Sequence, residues 1–206
     1  MTNGTLTLPS ADEVRKACAR FNTDMDEPDL ALFKLFTQYP ENTHLSHVLL
    51  KVVTLNSLYS TRIRVNSKYR PSDREYTPTV YDVVQQIVKH KIDAMLNRGD
   101  DTLVEIISKI IIEGRNHYYY SFATKYCSFH RPDSYPIFDS RVKEYLWQLR
   151  NKGGLPRFQQ QVLWNYPVLK RIIVRLKEQY SLQDFSTNRS THFFTLKAGS
   201  CSRPKR

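Results

Sequence analysis

Cysteine is scarce in this sequence: Cys18, Cys127 and Cys201 are all there is, and they stand far apart. That excludes a disulfide framework, and no Cys/His spacing matches a zinc or iron–sulfur site. Reduced thiols, no metal and no cofactor are therefore expected. Long apolar runs are missing too. The longest, Ile106 to Ile112, is broken by Ser108 and Lys109 and falls short of the roughly 18 residues a membrane span needs. The opening MTNGTLTLPSADE has neither the basic start nor the apolar stretch of a secretory signal. The expectation is a cytoplasmic protein, monomeric and without a membrane partner. No internal repeat is visible, and almost no alternating strand pattern.

Acidic residues are lacking in one region only. From Ser140 to Arg206 there are 14 Lys and Arg against three acids, Glu144, Glu178 and Asp184, whereas in Met1–Asp139 the 17 basic and 17 acidic residues cancel. The whole net charge of +11 thus sits in the last third. Such asymmetry points to a polyanionic partner, most simply nucleic acid, against the plainer reading of a basic, soluble surface.

What is present is helical periodicity. At 206 residues the chain can bury about two thirds of its unfolded surface without staples. Ser10, with Glu13 three residues on, makes a capping box for a helix from Ala11 to about Phe21 carrying Val14, Ala17, Cys18 and Phe21 on one face. A second helix spans about Pro28 to Gln38. A third spans Leu45 to Leu58, for which Asn42 and Thr43 are candidate caps; it ends in the polar LNSLYSTRI. Arg64 to Thr79, with Pro71 and Pro78, reads as a loop with basic and aromatic residues suited to a phosphate backbone. A long helix is expected over Val80–Asn97, ended by Gly99, then another from Thr102 to Ile112 capped by Asp100 and Asp101. Glu113–Asn116 reads as a turn, followed by a helix from His117 to Phe129. After Asp139 come Ser140–Arg150, a break at Gly153-Gly154, and a mostly helical Phe158–Tyr180 in which Pro167 marks a kink or a new start. The expected fold is all-α with two helical lobes: a single domain over 1–185 and a basic tail over 186–206, where Phe193–Leu196 could dock on the core.

The stretch Ser121–Val142, SFATKYCSFHRPDSYPIFDSRV, looks built for chemistry: a helix, a polar turn, an apolar approach, and Asp139 opening the next helix. An Asp in that place also serves simply as an N-cap. YPIFDSRVKEYL resembles the segment of the helix-hairpin-helix DNA glycosylase superfamily in which a Pro, two apolar residues and an Asp precede a helix, as in mismatch adenine glycosylases. Eighteen residues before Asp139 stands Ser121, where bifunctional members have a Lys and monofunctional ones do not, and Ala123 matches an Ala two positions on. VVTLNSLYSTRI resembles an early helix of the superfamily that closes in a polar stretch. The resemblance covers roughly Leu45–Leu149, and the wording is similar to that of small bacterial proteins with an 8-oxoguanine-glycosylase-like fold, some of which act against phages with modified DNA. One departure stands out. The superfamily hairpin Leu-Pro-Gly-Val-Gly corresponds here to Arg115-Asn116-His117-Tyr118-Tyr119, so either side chains replace its phosphate contacts or the hairpin has another shape.

The resemblance implies a cleft between the lobes and excision of a modified base, a phage-type cytosine or an oxidised purine, from double-stranded DNA. Asp139 would stabilise the oxocarbenium-like transition state, and the helix start would keep it ionised. With Ser121 in the lyase position the enzyme would be monofunctional; Lys125, on the same helical face, is the alternative Schiff-base lysine. Base flipping needs a wedge and a pocket, for which Asn56, Tyr59 and Tyr119 are candidates, with His117, His130 and Trp147 assigned structural roles. Arg62, Arg115, Asn116, His117, Arg141 and Lys143 complete the expected DNA contacts. The rival expectation is a non-catalytic DNA-binding protein on the same fold.

Overall fold

The computed structural model describes residues 10–20, 27–65, 77–112, 114–150, 155, 157–188 and 191. The chain divides into two compact units, one made of Met1–Met25 with Pro132–Arg206 and the other of Asp26–Arg131.

The Asp26–Arg131 unit holds α2 (Glu27–Gln38), α3 (Leu45–Tyr59), α4 (Val80–Lys89), α5 (Asp93–Arg98), α6 (Thr102–Ser108) and α7 (Tyr120–His130), with α2, α3 and α6 packed against α7 and α4 against α3 and α6. Every α7 residue from Phe122 to Phe129 is buried, which marks it as the central helix rather than a half-wetted one. Phe36 of α2 packs edge-on against Tyr126 at 5.3 Å, and Phe33 meets Phe129 at 4.8 Å. Thr79 and Asp82 close a capping box at the start of α4: Thr79 N–H donates to the Asp82 carboxylate at 2.7 Å, and Asp82 N–H to the Thr79 hydroxyl at 3.4 Å. The long helix expected over Val80–Asn97 is two helices. Lys91 takes a left-handed φ of 48°, and the chain restarts at Asp93 on a new axis. Residues 66–76, most of the expected basic loop, lie outside the described residues; its ends are joined where Val80 N–H donates to Arg64 O at 2.7 Å.

The expected helix to Ile112 also stops early, and the expected helix from His117 begins at Tyr120 instead. Between them Lys109–Ile112 (β1) pairs antiparallel with Arg115–Tyr118 (β2), with Ile110 opposite His117 and Ile112 opposite Arg115. Three successive isoleucines favour extended backbone, and Gly114 at φ +74° makes the turn that other residues resist. The carbonyls freed at the end of α6 are taken up: Gln86 Nε2 donates to Ile106 O and Lys109 O, each at 2.6 Å, and Tyr119 N–H to Ser108 O at 2.8 Å. The described residues are thus mostly helical, in keeping with the expected mainly helical class, with one small two-stranded sheet among them.

The other unit contains α1 (Ala11–Arg20), α8 (Ser140–Leu149), a short 3-10 turn (Gln160–Trp164) and α9 (Tyr166–Gln179). Ser10 and Glu13 make the expected capping box, at 2.8 and 3.1 Å. Pro167 lies in the first turn of α9 and Asn165 caps it, so the proline starts a helix rather than kinking one. Val142, Leu146, Leu149, Leu169, Ile173 and Leu176 are sealed in the core. The side chains of Val14, Ala17 and Cys18, together with Phe21, Gly153-Gly154 and Phe193–Leu196, lie outside the description. The first part of the tail is docked: Thr187 and Asn188 bond Asp133 O and Pro132 O, at 2.7 and 2.8 Å. No helix among the described residues is long and apolar enough to cross a membrane.

Candidate functional site

Asp139 is delivered by Tyr135, Pro136, Ile137 and Phe138, all buried. Phe138 packs on Trp164 at 5.0 Å, Tyr166 OH donates to Pro136 O at 3.2 Å, and Ile137 N–H reaches the buried Thr191 hydroxyl at 3.4 Å. The Asp139 carboxylate accepts from Val142 N–H at 2.8 Å as the N-cap of α8. Arg141 is exposed and Lys143 half-exposed on the first turn that follows.

In the Asp26–Arg131 unit, the two rival lyase residues form one pair. Lys125 is 3 % exposed and its Nζ donates to Ser121 Oγ at 2.8 Å. The same Nζ lies 5.4 Å from the centroid of the Tyr59 ring, and the Tyr59 hydroxyl donates to the Asp29 carboxylate. Tyr59 thus covers the lysine. Asn56 is consumed locally. It donates to Ile63 O at 2.9 Å and accepts from Thr61 Oγ1 at 2.7 Å and Ile63 N–H at 3.0 Å. This holds a turn in which Ser60 and the exposed Arg62 both have positive φ, so Asn56 is a brace and not a wedge.

Arg115 and Asn116 stand exposed on β2, and Tyr118 is 61 % exposed beside Ile111 at 60 %. His117 turns inward opposite Ile110, with Nε2 sealed and unbonded. Tyr119 is half-buried with its hydroxyl toward Pro78 O at 3.5 Å, and burial raises its phenol pKa.

A second constellation went unnoticed in the sequence. Asn42 and Lys51 are each 0 % exposed. Lys51 Nζ donates to Tyr39 O, Glu41 O and Asn42 Oδ1 at 2.9, 3.0 and 2.8 Å. Asn42 Oδ1 also accepts from Tyr126 OH at 2.5 Å and lies 3.1 Å from His130 Nε2, while Asn42 N and Nδ2 donate to Asp93 at 3.1 and 2.6 Å. Burial lowers the Lys51 pKa to about 8, opposed by Asp93. Burial, then the Lys51 and Arg131 charges, push His130 well below its ordinary value. The one sign in the sequence was a charge inside the apolar run Val48-Leu49-Leu50-Lys51-Val52-Val53. Cys127, next to Tyr126, is a buried free thiol whose pKa burial raises. Among the described residues no group of three or more His, Cys, Asp and Glu side chains is placed to hold a metal.

These features belong to a mostly helical protein whose Asp26–Arg131 unit gathers buried polar groups on α7 and beside it. The family described as HI_0787_N, N-terminal domain, matches residues 13–134, and the chain belongs to that family. A relative from Haemophilus influenzae (strain ATCC 51907 / DSM 11121 / KW20 / Rd), named "Uncharacterized protein", is 31 % identical over 135 residues, 65 % of this chain and 60 % of its own length. This chain therefore spans about 60 % of the curated relative it matches. No solved structure matches it at a significant level. The family span takes in Ser121, Lys125 and the Asn42 constellation and ends before Asp139.

Proposed function

We propose that the protein is a monofunctional DNA N-glycosylase on a two-lobed glycosylase-like fold, excising a modified base and leaving an abasic site. The observation that carries this reading is the Asp139 carboxylate: it stands at the start of α8 behind a sealed approach, with its capping bond fixing one oxygen and Arg141 and Lys143 close by in sequence. A carboxylate beside a developing oxocarbenium ion is the main chemical demand of glycosidic cleavage. Lys125 supports the monofunctional form. Its amine is sealed and spent on Ser121 Oγ, whereas a Schiff base needs the amine at the sugar. The +11 charge of the last third suits phosphate contacts, a general and salt-dependent attraction.

The test uses duplexes carrying oxidised purines or bulky modified cytosines. Product should appear after alkali, and Asp139→Asn should abolish it. Cleavage without alkali together with borohydride trapping lost in Lys125→Ala would replace the monofunctional reading by a lyase. A second reading, a non-catalytic DNA-binding protein, is favoured by one observation: the residues aligned with the glycine-containing hairpin form a β-strand, with Tyr118 and Arg115 outward. DNA binding without excision of any modified base decides for it.

A further inference from the structure

A cleft of about 580 Å³ opens in the Asp26–Arg131 unit, with Phe36, Phe129, Thr37, Glu41, Asp93 and His130 on its walls. Its polar edge is the outer side of the Asn42 constellation, which fixes how His130 faces it. All three N–H bonds of the Lys51 ammonium are used on Tyr39 O, Glu41 O and Asn42 Oδ1. Lys51 therefore has nothing left to give His130 Nε2, although the two nitrogens are 3.3 Å apart. The neighbour that Nε2 can bond is Asn42 Oδ1, an acceptor, so in the neutral ring Nε2 carries the hydrogen and Nδ1 the lone pair. The amide cannot be turned to suit the other tautomer, because Nδ2 is engaged by Asp93 at 2.6 Å. Among the described residues Nδ1 has no hydrogen-bond partner, and it is not sealed from solvent.

The cleft thus presents acceptors: the Nδ1 lone pair and the carboxylates of Glu41 and Asp93. Among the described residues neither carboxylate has an ion-pair partner. The one cation on the wall, Arg131, has its guanidinium on Asn97 Oδ1. Beneath lie the rings of Phe36 and Phe129, tilted against each other at 5.6 Å. Acceptors gathered along one cleft are the complement of a flat group rich in N–H donors, because such a group hydrogen-bonds along its edge, and the buried Phe36 and Phe129 rings make a closed apolar floor for it.

We infer that this cleft is a binding site for a small ligand bearing an amidine-type donor edge, N–H groups side by side on a flat body, held by His130 Nδ1, Asp93 and Glu41. A guanidinium compound supplies that chemistry; neutral cytosine and adenine do not, because the ring nitrogen beside their amino group is an acceptor. The site lies within the residues matched by the family and does not depend on base excision by Asp139.

Calorimetric titration of the full chain with agmatine, cytidine, adenosine and uridine tests it, alongside the ring-nitrogen NMR signal of His130. Saturable binding of agmatine, with cytidine, adenosine and uridine failing, is the expected result. The His130 Nδ1 signal should move on binding. His130→Phe should weaken binding by about tenfold, the loss of one good hydrogen bond. Because His130→Phe disturbs a buried network, Thr37→Trp serves as the second variant: it fills the cleft from an exposed position and leaves the network intact, and it should abolish binding. No saturable binding of agmatine, any nucleoside bound as well as agmatine, or binding unchanged in Thr37→Trp would each overturn the proposal.

Discussion

Lys51 Nζ lies 2.8 Å from Asn42 Oδ1, and both side chains are closed to solvent. A buried ammonium is costly unless every hydrogen has an acceptor. Two of its acceptors are main-chain carbonyls before α3; Asn42 supplies the third and, through Nδ2, passes the charge to Asp93. One amide therefore ties together the start of α3, the start of α5 and the end of α7.

It follows that Asn42 matters more than the lysine it serves. Asn42→Ala leaves the ammonium one acceptor short and strips Tyr126 and His130 of theirs, so a loss of about 3–5 kcal/mol is expected. Lys51→Met keeps the stem and removes the charge, leaving carbonyls that tolerate a missing donor, and should cost under about 2 kcal/mol. Urea unfolding at one pH measures both. Equal losses would mean that the amide does not hold the charge.

Stability should depend on pH through the same group of residues. His130 is held well below its ordinary value of 6.5 by burial and by Lys51 and Arg131. Below pH about 6.5 the unfolded chain takes up a proton that the folded one refuses, so stability falls with acid. Lys51 works at the other end. Its pKa is lowered from 10.5 to about 8, so between those values the unfolded chain keeps a proton that the folded state has released, and stability rises with pH across that window. Asp93 opposes the Lys51 shift. Cys127 and Tyr126, raised by burial from 9.0 and 10.0, ionise first in the unfolded chain and pull stability the other way from pH about 9 upward. The Lys51 rise therefore shows between about 8 and 9. Denaturation midpoints from pH 5 to 9 should show both slopes, with His130→Gln flattening the first and Lys51→Met the second.

Much of this could be read in the sequence wherever the cause was local. The Ser10 capping box, the Thr79 start and the Asp139 cap each involve residues three apart, and the buried faces of α3, α8 and α9 repeat with the helical period. The misreadings have a different origin. KIII continues the apolar run of α6, and a short apolar run looks alike in a helix and in a strand; isoleucine branching and Gly114 were the only local signs of the hairpin. Asn42, Lys51, Asp93, Tyr126 and His130 are spread over almost half the chain and meet only through tertiary packing. Asn42 was therefore legible as a possible cap and nothing more, while the actual cap position, His44, makes no side-chain bond.

The hairpin can be checked at its turn. Gly114 has φ +74°, and a Cβ there would meet nothing within 4 Å, so the cost of a side chain is conformational and not steric crowding. Gly114→Ala should lose about 1 kcal/mol, and Gly114→Asn less, since Asn accepts the left-handed region. Thermal unfolding monitored by circular dichroism measures the difference. A helical continuation through 109–118 would reverse the sign, because alanine favours helix over glycine by about 1 kcal/mol.

Asp139 carries two roles that one substitution separates. As a cap it needs only a side-chain oxygen for Val142 N–H, and Asn fills that place almost as well as Asp. As a stabiliser of a positive transition state it needs the charge. Asp139→Asn should therefore unfold within about 0.5 kcal/mol of the parent yet lose excision by two or more orders of magnitude, about 3 kcal/mol in the barrier. Asp139→Ala should lose both, with about 1 kcal/mol of stability. Excision by the Asn variant at the parent's rate, with the Ala variant impaired only in proportion to its unfolding, would leave Asp139 a cap and move the chemistry elsewhere.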